Sequence, residues 1–141
     1  HIGLDEPIKK YIPEIGQMHV SLNPEQGING PQVVADTDIT IRQLLTHTSG
    51  LSHGLENNKL DKALFKALYD ETLNYREHAN LESRIEALLG FPLVAQPGAK
   101  WYYSAGADLL ALLIQRVSQM SIPDYLERCK NVKLTTIEQK K

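Results

Sequence analysis

The sequence reads as a mainly α-helical domain. Three observations lead there. Apolar residues recur at spacings of three and four, the periodic segments open on hydroxyl or amide caps and close near glycine or proline, and strand signals are confined to Val33-Val34-Ala35.

Taking the elements in order, Leu4, Ile8, Tyr11 and Ile12 fit a short amphipathic helix over 4–15, stopped by Pro13. From Gln17 to Asp38 the turn formers Asn23-Pro24, Gly27, Asn29-Gly30-Pro31 and Asp36 predict a surface loop, with the brief strand inside it. Thr40 and Gln43 make a capping-box pattern before Ile41, Leu44 and Leu45, so a helix starts there, with Gly50 as its natural terminator. Leu60, Leu64 and Leu68, with Phe65 and Tyr69 beside them, place an apolar stripe on a helix over 58–75. Asn80 caps a further helix from Leu81 to Leu89, closed by Gly90. Pro92, Pro97 and Gly98 mark an extended connector. Ser104 or Gly106 opens the most hydrophobic helix, Ala107 to Val117, which belongs at the centre of the core. Ser121, Pro123 and Asp124 suit the first turn of a last helix, and the polar residues 130–141 form a tail prone to fraying.

The 141 residues are 42% hydrophobic and 23% charged, which excludes disordered, collagen-like and disulfide-scaffold classes. A chain of this size buries roughly 70% of its unfolded surface, so stability calls for no metal or cofactor. The net charge of −2 offers no field to attract phosphate backbones, and nucleic acid is excluded as an expected partner. Cys129, the single cysteine, makes neither an internal disulfide nor a thiolate metal site. The most apolar stretch, Leu109 to Ile114, is far short of the roughly 20 residues of a membrane span. The start at His1 lets one expect that an upstream segment has been removed or omitted.

Two regions carry candidate chemistry. His47 and His53 bracket Thr48-Ser49-Gly50-Leu51-Ser52, a cluster open to a metal pair or a Ser–His nucleophile, yet a separation of six across a glycine suits neither. The structural reading, hydroxyls and imidazole tying up carbonyls at a helix end, is the favoured one. His19 and His78 stand apart from ligand partners, and Glu82 with Glu86 reads as a solvated helix face. The run from Gln96 to Gly106 is more unusual, because Trp101, Tyr102, Tyr103 and Ser104 lie where an extended segment meets a buried helix. A phenol there can exchange a proton if a nearby cation lowers its pKa from about 10, while aromatic packing at a helix start explains the same residues without chemistry.

Read together, two stretches resemble the serine β-lactamase and penicillin-binding-protein superfamily, in its class C-like branch of β-lactamases, D,D-peptidases and esterases. Ile39 through Leu51, with Leu44-Leu45-Thr46-His47-Thr48-Ser49-Gly50-Leu51 at its heart, is similar to that branch's helix-and-turn signature. Pro97-Gly98 through Tyr103-Ser104-Ala105, followed by the apolar helix, resembles its second catalytic motif. Leu4-Asp5-Glu6-Pro7-Ile8 with Tyr11-Ile12-Pro13 is similar to the segment downstream of its nucleophile helix.

The resemblance implies a Ser-x-x-Lys nucleophile, a Tyr-x-Asn motif and a Lys-Thr-Gly-like strand working through an acyl-enzyme. Only the middle element is matched here. Tyr103 takes the place of the catalytic tyrosine, with Ser104 and Ala105 as the substrate-binding positions beside it; Ala105 stands where the family has Asn, which leans away from β-lactam hydrolysis toward ester or divergent peptide substrates. No serine of the chain is followed by Lys three residues later. The resemblance therefore implies the helical subdomain of a β-lactamase/transpeptidase-like α/β fold with most of the sheet missing from this chain, residues 1–129 forming the domain and 130–141 the tail. It further implies a small-molecule or peptide substrate (β-lactam, D-Ala-D-Ala peptide or ester), no cofactor and no metal, inactivity in isolation, and export to the periplasm or cell surface. A non-catalytic helical binding or regulatory module is the alternative, and self-association through an exposed apolar face follows if half the fold is absent.

Overall fold

Thr40 opens the first α-helix by a reciprocal cap: its hydroxyl accepts from Gln43 N–H at 3.2 Å, and Gln43 Oε1 accepts from Thr40 N–H at 2.9 Å. The helix so begun, α1, is short, Ile41–Leu45, and buries Ile41 and Leu44. It ends well before Gly50. Thr46 closes it, its hydroxyl donating to Arg42 O at 2.9 Å, and His47 then takes a left-handed backbone with φ of 55°. The expected terminator is thus replaced by His47, three residues earlier.

The computed structural model describes residues 2–69 and 80–138, and the side chains of these up to 130. Four further helices follow: α2 (Lys59–Leu68), α3 (Leu81–Leu89), α4 (Gly106–Ser118) and α5 (Ile122–Glu138). Asn58 caps α2 by accepting from Asp61 N–H, and Asn80 caps α3 in a box with Ser83. The predicted stripe of Leu60, Leu64 and Leu68 is the buried face of α2. That helix stops at Leu68, where Tyr69 is already extended, and the expected continuation over 70–75 lies outside the described residues. Helix α4 packs on α1, α3 and α5, and its Leu109 and Leu112 are fully buried, the central position its composition predicted.

The opening segment departs from expectation. In place of one amphipathic helix over 4–15 there are two single 3₁₀ turns, Ile8–Lys10 and Pro13–Ile15. The apolar spacing still holds, since Ile8 and Ile12 have no exposed surface, but Pro7 disfavours a helical Glu6 and Pro13 lacks an N–H, so the chain cannot wind continuously. The 17–38 region likewise holds more order than a loop. Strand β1 (His19–Ser21) pairs antiparallel with β2 (Gln32–Val34), Val20 opposite Val33, placing the predicted strand within one residue. On its other side β1 exchanges backbone hydrogen bonds with Leu93 of the connector, both at 2.8 Å.

Arg84 fastens three helices together. It is 8% exposed, its Nε donates to Asp108 at 2.9 Å, and its Nη1 donates to Leu68 O at the carboxyl end of α2. A guanidinium there meets both a carboxylate and the negative end of a helix dipole. At the opposite end of α4, Arg116 holds Glu14 in a two-pronged pair at 2.7 and 2.8 Å, and the guanidinium keeps that carboxyl well below its ordinary value, at about 2.

Candidate active site

The turn from His47 to Ser52 is laced to the connector along its length. Val94 N–H donates to Gly50 O, Gly98 N–H to Thr48 O, Tyr102 N–H to His47 O, and Ala105 N–H to Ser52 O, at 2.7 to 3.2 Å. These bonds, between residues 44 to 55 apart in the chain, bring the two predicted motifs into contact. Beneath the turn, Ser52 Oγ donates to the buried carboxylate of Asp61, which also accepts from Asn58 Nδ2 at 2.6 Å, so α2 supports the turn from below.

Tyr103 projects from this laced region with 55% of its surface exposed. Its ring is flanked by two imidazoles. His47 lies against it with centroids 4.9 Å apart, and His53 stacks at 5.0 Å and 29°. The contacts continue outward in both directions: Trp101 meets His47 edge-on at 6.0 Å, Tyr69 stacks on His53 at 5.3 Å, and Phe65 on Tyr69 at 5.0 Å. Six rings from the connector, the turn and the end of α2 are thus linked pair by pair, with Tyr103 between the two histidines in that succession. Spacings of 4.5 to 7 Å are those at which aromatic pairs attract.

Ser104 and Ala105 sit differently. Both are buried, at 3% and 5% exposure. Ser104 Oγ lies 3.2 Å from His47 Nδ1 and accepts from Gly106 N–H at 3.4 Å, while Ser104 N–H donates to His47 Nδ1 at 3.3 Å. A backbone N–H can only donate, so Nδ1 carries the lone pair and the ring proton of neutral His47 is on Nε2. Ser104 therefore joins the imidazole to the first turn of α4.

Burial pushes the His53 imidazole below its ordinary 6.5, with Arg84 and His47 acting in the same direction and Asp108 opposing. Tyr69 Oη stands 2.8 Å from its Nε2. The cation expected near the phenol belongs to the preceding residue: Lys100 Nζ sits 4.6 Å over the Tyr102 ring. The helix carbonyl of Arg42 is tied up by Thr46, just outside the 47–53 cluster; within the cluster, Ser49 Oγ accepts from Leu51 N–H, Ser52 Oγ donates to Asp61 and both imidazoles lie against Tyr103. The sequence offers one cue to this, two histidines bracketing a turn, without indicating what they face. Among the described residues no group of three His, Cys, Asp or Glu is placed to hold a metal ion, and no helix is long and apolar enough to cross a membrane.

With this geometry in hand, the comparisons with known proteins agree on one family. A family model described as Beta-lactamase matches residues 1–128. The monacolin J acid methylbutanoyltransferase of Aspergillus terreus is 30% identical over 126 residues, 89% of this chain and 29% of that protein. The lovastatin esterase of Penicillium rubens is 25% identical over 130 residues, 90% of this chain and 30% of that protein. Among solved structures, EstCE1, described as a hydrolase with promiscuous acyltransferase activity, superposes with a TM-score of 0.65 at 22% identity, covering 90% of this chain and 30% of that one. The chain spans about 30% of the length of these relatives. The five α-helices and two-stranded sheet of the described residues are the helical portion of that fold. With residues 1–128 of its 141 matched by the family model, the chain belongs to the beta-lactamase family.

Proposed function

We propose that this chain carries the proton-transfer tyrosine of a serine acyl-transfer site acting on an ester, a D-Ala-D-Ala peptide or a β-lactam. One observation supports it above the rest: Tyr103, at the motif position of the family tyrosine, has two imidazoles within about 5 Å of its ring yet has more than half its surface open. In this reading the phenol oxygen takes the proton of an attacking hydroxyl and returns it to the leaving group, as a positioned general base and acid. The attacking serine and its lysine lie outside these 141 residues, since none of the seven serines present has Lys three positions on. Ser104 and Ala105 are the substrate-contacting positions of the same reading; buried as they are, they offer a substrate little beyond their outermost atoms.

The chain alone should then turn over nothing. Incubation with a short p-nitrophenyl ester or a chromogenic β-lactam is expected to give the background rate and an unchanged intact mass; an acyl adduct on this chain overturns the assignment of the nucleophile to outside residues. Ala105, in place of the family Asn, favours a second reading, a non-catalytic binding or regulatory module on the same scaffold. Self-association belongs to both readings, because Leu45, Leu55 and Trp101 are each more than half exposed. Sizing that grows with concentration supports it, and a monomer at every concentration removes it.

A further inference from the structure

We propose that His47 and His53 are positioning residues for Tyr103: His47 fixes the backbone on either side of the phenol, and the imidazoles of both residues pack against its ring.

The case for His47 rests on three contacts made by one residue. Its carbonyl accepts from Tyr102 N–H at 2.8 Å, its Nδ1 accepts from Ser104 N–H at 3.3 Å, and its ring lies 4.9 Å from that of Tyr103. The residues immediately before and after the phenol are thus held by the same side chain and peptide. These contacts need the left-handed backbone at residue 47, with φ of 55°, a conformation that a non-glycine residue keeps only when its surroundings impose it. Here the surroundings are identifiable: the capped helix α1 ends at Leu45, and the hydrogen bonds to the connector set the path of the chain beyond it. His53 is placed by other means. Gly54 N–H donates to Ser52 Oγ at 3.1 Å, Ser52 is bonded to buried Asp61, and the imidazole between these anchors stacks with Tyr69 as well as with Tyr103. The ring of Tyr103 thus packs against two imidazoles, each held by contacts of its own.

Such a clamp restricts the phenol where it matters for proton transfer. A side chain with 55% exposure would ordinarily sample several χ1 rotamers, and each departure moves its oxygen by ångströms from any reacting group. Two flat rings at about 5 Å leave the oxygen free while limiting the ring.

The proposal deepens the acyl-transfer reading and is tested without turnover. The 141-residue chain is labelled with 3-fluorotyrosine, and the Tyr103 signal is assigned by its loss in Tyr103→Phe. In the parent chain that fluorine is expected to resonate away from free 3-fluorotyrosine. His47→Gly keeps the left-handed backbone accessible while removing the ring, so the fold should hold. The Tyr103 signal should then collapse to a narrow line near the free value, with the Tyr11 and Tyr125 signals unmoved. His53→Ala should act in the same direction, and His53→Phe, which restores a flat ring, should recover the displaced signal. If His47→Gly unfolds, His47→Asn, also tolerant of left-handed φ, takes its place with the same expected collapse.

A Tyr103 signal that stays displaced and broad in either folded residue-47 variant, or in His53→Ala, overturns the clamp. Failure of the acyl-transfer reading looks different: the signal collapses as expected, but Tyr and Phe at 103 support acyl transfer equally when the missing residues are supplied.

Discussion

The backbone of Gly50 passes so close to Ala95 that a Cβ on residue 50 would stand 2.1 Å from Ala95 O, far inside the 3.0 Å that non-bonded Cβ contacts essentially never breach. With φ of 83° as well, residue 50 is restricted to glycine by space and by conformation together. This contact sits at the middle of the lacing that joins the 47–52 turn to the connector, so it sets how near His47 comes to Tyr103.

Gly50→Ala is therefore expected to cost about 2–4 kcal/mol, combining left-handed strain with overpacking against a peptide that cannot step aside. A urea titration followed by circular dichroism measures it. A loss below about 0.5 kcal/mol would show that the turn and connector are free to separate.

The Arg84–Asp108 pair makes a second prediction. Asp108→Ala removes the carboxylate partner of a guanidinium of 10% side-chain exposure that also donates to Leu68 O and lies over the Tyr69 ring. Removing one member of a largely buried pair strands the other charge, and a loss of about 2–4 kcal/mol follows. Asp108→Asn, which keeps an oxygen acceptor, should lose less. Equal losses in the two variants would mean that packing rather than charge is what Asp108 contributes.

His53 predicts a pH dependence. Its imidazole is held below its unfolded value of 6.5 by burial, so the unfolded chain binds the proton more readily than the folded one. The stability contributed is full above about 6.5 and is lost as the pH falls from there through the lower folded value. The carboxyls of Glu6 and Glu14, both lowered from 4.5 to about 2, contribute in the same sense but only below about 4.5, so the two intervals separate. Between pH 7.5 and 5 the difference in urea midpoint between the parent chain and His53→Phe should shift steadily in favour of the variant. Parallel curves over that interval would remove His53 as the titrating group.

Local cues were readable from sequence wherever one side chain decides a local outcome. Thr40 and Asn80 cap where their types and spacing predict, and the apolar run of α4 lies at the centre of the core. Cues that depend on a distant partner were not. His19, Val20 and Ser21 form a strand because β2 and Leu93 supply hydrogen bonds on either side, and nothing within three residues of short sequence encodes that. The opening segment shows the converse failure, in which the apolar period was right and the prolines decided the geometry. At the site, the histidines were visible as a pair and Tyr103 as a motif residue, but the contact between them closes a loop of 56 residues through backbone bonds that any residue type can make.

The central claim, that the Tyr103 phenol moves a proton in acyl transfer, is tested most directly by grafting. Residues 1–128 replace the matching segment of the monacolin J acid methylbutanoyltransferase, and acyl transfer is measured with Tyr or Phe at position 103 in folded chimeras of equal melting temperature. The account predicts turnover above background with Tyr and a fall of roughly 10²–10⁴-fold with Phe. A folded, active chimera with the same rate for Tyr and Phe, or a folded chimera inactive with both, would contradict it.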